Sequence, residues 1–153
     1  MRMYSVVMDA QAVAEVCELF YIQAPADAVV RIHEIVITQD DSVTSEQLPL
    51  NVFRTATDQS AKGTANTPAP LQEGDAAFGG VARTNILAAE SLAAETTMLL
   101  RQSQNILNGW HILPTPETQI AVSPGEAIVV KLDAAPGTSI NISGYVLFEE
   151  IGG

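Results

Sequence analysis

From Ile140 to Glu149 the character of the chain changes at every step. Ile140, Ile142, Gly144, Val146 and Phe148 fall in one phase, and Asn141, Ser143, Tyr145, Leu147 and Glu149 in the other. A period of two is the signature of an extended chain, whose successive side chains leave opposite faces. The segment Thr138 to Ile151 therefore predicts a long, half-buried strand, and a strand of that length needs a sheet around it. Just ahead of it, Ile128, Val130 and Leu132 alternate with Val129, Lys131 and Asp133, and Ala134-Ala135-Pro136-Gly137 supplies turn residues between the two runs. Two alternating runs joined by such a turn predict a hairpin.

Strand signals continue through most of the chain. Met1 to Asp9, Val16 to Ile22, Val29 to Thr38, Leu48 to Thr55 and Trp110 to Leu113 read as strands, with weaker candidates at Met98 to Arg101 and Gln119 to Val122. The run Val29 to Thr38 loses its alternation at Glu34. Val30 and Ile32 lie in one phase, Ile35 and Ile37 in the other, so either a β-bulge or burial on both faces is expected there. Burial on both faces would leave a sheet surface that needs a partner. Residues 58–80, with their Lys62 to Pro70 stretch of Gly, Thr, Ala, Asn and Pro, are too rich in breakers for an ordinary connection and predict a long extended loop or exposed arm, ordered by a partner. The alanine-rich run Ile86 to Ala94 suits a short helix, or alternatively an extended crossing segment. Seven to nine strands in 153 residues, with no linker to divide them, predict one all-β domain over residues 1–153, a sandwich or jelly roll with one long loop.

Charge narrows the partners. Eighteen acids against seven Lys and Arg give a formal net charge of −11, and the basic residues are scattered singly. Affinity for nucleic acid rests on clustered cations that release counterions from phosphates, so neither DNA, RNA nor an anionic membrane is an expected partner. The apolar runs are far shorter than a membrane-spanning helix requires, and the N-terminus lacks the apolar core of a secretory leader, so a soluble chain is expected. Cys17, the only cysteine, excludes an internal disulfide. Flanked by Glu15 and Glu18 rather than by cations, it reads as a small buried hydrophobe without thiolate character.

No residue pattern points to chemistry. His33 and His111 belong to no metal-ligand spacing and are expected to be solvated or hydrogen-bonded strand residues, so no metal or other cofactor is expected. Asp40-Asp41-Ser42 and Gln72-Glu73-Gly74-Asp75 read as acidic turns rather than calcium loops. Glu149 and Glu150, adjacent on a strand, must point to opposite faces and cannot form an acid/base pair. Asn141-Ile142-Ser143 matches a glycosylation sequon within a predicted strand, and is treated as chance. Asn108 to Glu117 holds the only tryptophan, between a glycine and two prolines. Trp110 is expected either as a core anchor or as an exposed contact residue.

Several segments together carry a resemblance: the opening Val6-Val7-Met8-Asp9, Val30 to Ile35, Leu50 to Thr55, Gly109-Trp110 through Pro114-Thr115-Pro116-Glu117, and the closing Phe148 to Gly153. Over most of its length the chain resembles small phage and prophage virion proteins of the capsid decoration, or cement, kind. That resemblance implies a jelly-roll-like sandwich without enzymatic activity, assembled in the host cytoplasm onto the outer capsid surface. The implied partner is the major capsid protein, and the implied assembly is often a homotrimer. Trp110, Ile112, Leu113, Phe148 and Ile151 are the candidate partner-contact residues, since they join apolar bulk to nearby chain breakers; otherwise they complete the domain's own core. The alternative function is a carbohydrate- or receptor-binding β module of a virion. An aromatic content of 5% counts against it, because sugar rings are usually held by stacked aromatic faces.

Overall fold

The computed structural model describes residues 1–41 and 45–152, and within them the chain is a two-sheet antiparallel sandwich. The first sheet contains β1 (Arg2–Val13), β3 (Ala28–Gln39), β6 (Ala69–Pro70), β9 (Trp110–Ile112), β10 (Ala121–Val122) and β12 (Ile140–Gly152). Its order is β10-β3-β12-β1-β6, with β9 also on β3. The second contains β2 (Cys17–Gln23), β4 (Gln47–Thr55), β5 (Thr64–Ala65), β7 (Val81–Leu87), β8 (Thr97–Asn105) and β11 (Ala127–Leu132), in the order β5-β7-β2-β11-β4-β8. From β1 to β4 the chain changes sheet at every strand. Between the sheets the apolar phases of β12, β1 and β3 (Val146, Phe148, Val6, Ile35, Ile37) meet those of β2, β11 and β4 (Phe20, Ile22, Val130, Val52). Gly144 falls in the inward phase of β12, and a Cβ there would lie 2.2 Å from the Val36 carbonyl oxygen, so only glycine lets the two strands approach.

The expected hairpin at residues 128–151 is not formed. β11 pairs with β2 and β4 in the second sheet, whereas β12 pairs with β1 and β3 in the first, so the turn at 134–137 carries the chain across the sandwich. Two alternating strands can bury their apolar faces side by side or face to face. The local pattern is identical in both cases, and only the other strands decide.

The break of phase at Glu34 is a β-bulge. Leu147 pairs with Glu34 and Phe148 with Ile32, leaving His33 as the extra residue, so that Arg31, His33 and Glu34 all lie on the outer side. Burial on both faces occurs elsewhere, in β11, all six of whose residues are buried. What covers the outer face of the second sheet is the chain itself. Residues 88–96 lie over it, and Tyr21, Phe53, Ile86, Ala127 and Val129 form a second apolar cluster with Ala93. Of the two readings of 86–94, the short helix is reduced to one 3-10 turn, Ala88–Glu90, and the crossing segment is what the structure shows. Side chains take two backbone donors here, of which a helix would have used that of Ala93. Glu90 accepts the Leu87 N–H, and Glu18 accepts that of Ala93.

Residues 58–80 are extended but lie against the body rather than standing off it. β5 pairs with β7 on one sheet and β6 with β1 on the other, clasping the two sheets along one side. Gln59 is fully buried, Phe78 packs tilted on Tyr4 and edge-on to Phe148 at ring separations of 5.4 and 4.9 Å, and the Tyr4 hydroxyl donates to the Ala76 carbonyl. Of the acidic turns, Asp41 accepts the Asn141 N–H and Asp40 the Ser143 hydroxyl, tying the end of β3 to β12; Ser42 lies outside the described residues.

Candidate interaction site

With the second sheet covered, the outer face of the first is the broad strand surface left open. Strand register arranges it in rows. Val7, Tyr145, Val36 and His111 stand side by side across β1, β12, β3 and β9. Ser5, Leu147 and Glu34 form the next row, then Met3, Glu149 and Arg31, then Ile151 and Val29. Val7 is 54% exposed, and Tyr145, Val36, Leu147 and Ile151 are half-buried. The result is an apolar stripe on a strongly acidic molecule.

Two histidine–carboxylate pairs border the stripe. His33 Nε2 lies 2.6 Å from Glu149 Oε2, which also faces Arg31 Nη1 at 3.9 Å. The other ring nitrogen, Nδ1, accepts from the Gln119 amide at 3.1 Å, so Nε2 carries the proton and donates to Glu149. His111 Nε2 sits 2.7 Å from Glu34 Oε1. Both nitrogens of His33 are thereby engaged within the protein, an arrangement that holds β3, β12 and the β10 approach together rather than presenting a free base. Glu150, on the opposite side of β12 from Glu149, binds Arg2 at 3.0 Å and the Gly79 N–H at 2.9 Å. Among the described residues no group of three or more His, Cys, Asp or Glu side chains is placed to hold a metal ion.

Beside this face, where β8 meets the segment 111–120, a groove of about 480 Å3 runs along the seam of the sandwich. Leu99 and Leu100 form one wall, His111, Leu113 and Gln119 the other, and Arg54 reaches in from β4.

The five contact candidates separate. Trp110 and Phe148 are 1% and 0% exposed and belong to the central core, as does Ile112 at 8%. Their assignment as surface contacts is corrected. The inward phase of β9 and β12 sends each of them between the sheets, where chain breakers nearby in sequence do nothing to expose them. Leu113, 67% exposed, lines the groove, and Ile151 lies on the outer face of the first sheet. Val7, Tyr145 and Leu147 were missed. A signal existed, since Tyr145 and Leu147 are large apolar residues in the phase of β12 that should have faced water. Comparison with protein-family models, with curated proteins and with solved structures finds no match.

Proposed function

We propose that this protein is a phage virion structural protein, a capsid decoration (cement) protein that binds the major capsid protein lattice on the outer capsid surface and stabilises it. The observation that carries this proposal is the asymmetry of the sandwich: the chain covers one outer sheet face with its own residues 88–96 and leaves the Val7–Tyr145–Val36–Leu147 stripe open on the other. Apolar area exposed in this way is stabilised by a second protein surface, at roughly 25 cal/mol per Å2 covered. Strand order supports a jelly roll, the architecture shared by many capsid proteins. With the two-residue strands and β7 set aside, eight strands remain in two facing four-stranded sheets, β9-β3-β12-β1 and β8-β4-β11-β2, as in a jelly roll. A net charge of −11 suits a position outside the shell, away from packaged nucleic acid. Three copies about a lattice axis would multiply modest contacts by avidity, so a homotrimer is the proposed assembly state.

Purified particles test the proposal directly. The protein should occupy repeated lattice positions in a cryo-EM map, and particles lacking it should lose their contents at lower temperature. Val7→Asp and Ile151→Asp should remove the protein from particles while leaving its own melting temperature within a few degrees. Absence from particles, or unchanged particle stability without it, defeats the proposal.

A further inference from the structure

We propose that the cleft between residues 65–68 and 78–83 binds a small free monocarboxylate with a short apolar body, its carboxylate held by Arg83. This goes beyond the decoration role and does not depend on it.

Residues 58–80 clasp the two sheets, and past β5 they stop following β7. Ala65 pairs with Arg83, and the Asn66 N–H still reaches the Ala82 carbonyl at 3.2 Å. Beyond that, among the described residues, no backbone hydrogen bond joins residues 67–68 to β7. The two runs part around a cleft of about 280 Å3, whose walls include Asn66, Thr67, Pro68, Phe78, Val81 and Arg83. Both sides of it are anchored. The Asn66 side-chain amide donates to the Val7 carbonyl at 2.6 Å, and Phe78 is packed on Tyr4 and Phe148.

Arg83 is the group that lacks a partner. Its Nε is closed off from solvent and makes no hydrogen bond. Every other Lys and Arg side chain has an acceptor: Arg2, Arg31, Arg101 and Lys131 meet carboxylates, while Arg54 and Lys62 donate to backbone carbonyls. Strand register shows why Arg83 differs. It stands between Ala65, whose side chain has no acceptor, and Tyr21, whose hydroxyl donates to the Thr57 carbonyl. A buried N–H without an acceptor keeps its full cost of desolvation until one arrives.

The lining selects the ligand. A guanidinium presents Nε–H and one Nη–H as a fork that matches the two oxygens of a carboxylate. No other residue lining the cleft is charged, so a monoanion is matched and a phosphate dianion would be left underpaired. Glu150, which accepts the neighbouring Gly79 N–H, is itself paired with Arg2. Pro68, Phe78, Val81 and Ala82 offer apolar walls to the rest of the ligand. A protein segment fits less well, because its backbone would need a strand edge and β5 is two residues long.

The test titrates the full chain at pH 7 with isovalerate, with isovaleramide as its uncharged isostere, and with inorganic phosphate. NMR spectra follow the Arg83 Nε–H and the backbone amides. Isovalerate should shift the Arg83 Nε–H together with amides of residues 65–68 and 78–83. It should bind about tenfold tighter than isovaleramide, because only the carboxylate makes charge-assisted bonds. Arg83→Gln should abolish the response with the melting temperature within a few degrees of the parent, and Arg83→Lys, a charge without the fork, should keep only part of it. Thr67→Glu, which sets a competing carboxylate on the exposed rim, should weaken isovalerate binding without touching Arg83, and so tests the site even where Arg83→Gln fails to fold. An Nε–H that does not respond to tens of millimolar isovalerate would mean a trapped water only and overturns the inference. Equal binding of the amide, phosphate binding as tightly as isovalerate, or full binding by Thr67→Glu overturns it too. A peptide ending in valine that binds more tightly than isovalerate assigns the cleft to a protein terminus and defeats the free ligand.

Discussion

The Glu18 carboxylate, fully buried on the outer face of the second sheet, accepts the backbone N–H of Ala93 at 2.5 Å and an N–H of the buried Gln59 amide at 3.2 Å. One side chain of β2 thus holds down both segments that cover this face, since Gln59 also donates to the Ser91 carbonyl. Glu18→Ala leaves the Ala93 donor without its acceptor and should cost about 1.5–3 kcal/mol. Hydrogen exchange should accelerate at residues 91–96 before any change in β2 or β11. Uniform acceleration across the domain would show that the covering segment does not open on its own.

The same group makes stability depend on pH. Burial, its largest influence, raises the Glu18 carboxyl above its ordinary value of 4.5, against the lowering effect of the Ala93 and Gln59 hydrogen bonds. The folded state therefore binds this proton more tightly than the unfolded state. The resulting stabilisation is fully present below pH 4.5 and is lost as pH rises through the folded value. Glu18→Gln, which keeps an oxygen for Ala93, should raise the melting temperature at pH 7, with the gain shrinking to nothing as pH falls to about 4.5. A gain independent of pH would exclude desolvation of the carboxylate as its source.

Cys17 should be unreactive in the folded protein. Its thiol is buried, donates to the Asn85 side-chain carbonyl at 3.3 Å, and is pushed up to about 12 by burial first and then by Glu18, Glu15 and Glu90. Thiolate is the reacting species, so a disulfide reagent at pH 8 should modify Cys17 only as fast as the domain unfolds. Modification within minutes in the absence of denaturant would contradict this environment.

Phe78 pins residues 58–80 to the body through the Tyr4 and Phe148 rings. Phe78→Ala should expose residues 66–79 to protease at low enzyme ratios while the sheets remain intact by circular dichroism. Phe148→Ala removes the same anchor from the core itself and should cost about 3–5 kcal/mol of global stability. Equal proteolysis of the parent and Phe78→Ala would show that the β5 and β6 pairings alone hold the segment.

Much of the strand content was legible because it depends on neighbours in sequence. The alternation of Ile140 to Phe148 marks β12, the break at Glu34 marks the bulge, and the acids beside Cys17 mark an inert thiol. The candidate surface was legible only in fragments. Leu113 and Ile151, named for bulk and position, lie outside the core, but Trp110, Ile112 and Phe148 carry the same bulk and turn inward.

What the sequence by itself determined, for most of the longer strands though not for β7 (Val81–Leu87), is which residues are extended and which share a face, since pleating imposes a period of two on every strand regardless of its neighbours. Tertiary structure alone decided which face meets which. β11 and β12 look like a hairpin but lie in different sheets, because burying both apolar phases in one core across the sandwich satisfies the same alternation. The alanine-rich run 86–94, suited by composition to a helix or to an extended crossing, became part of a cover because Glu18, far away in sequence, takes the Ala93 backbone donor. Pairing partners across long sequence separations are chosen by the whole set of strands competing for one core, and no local pattern contains that choice.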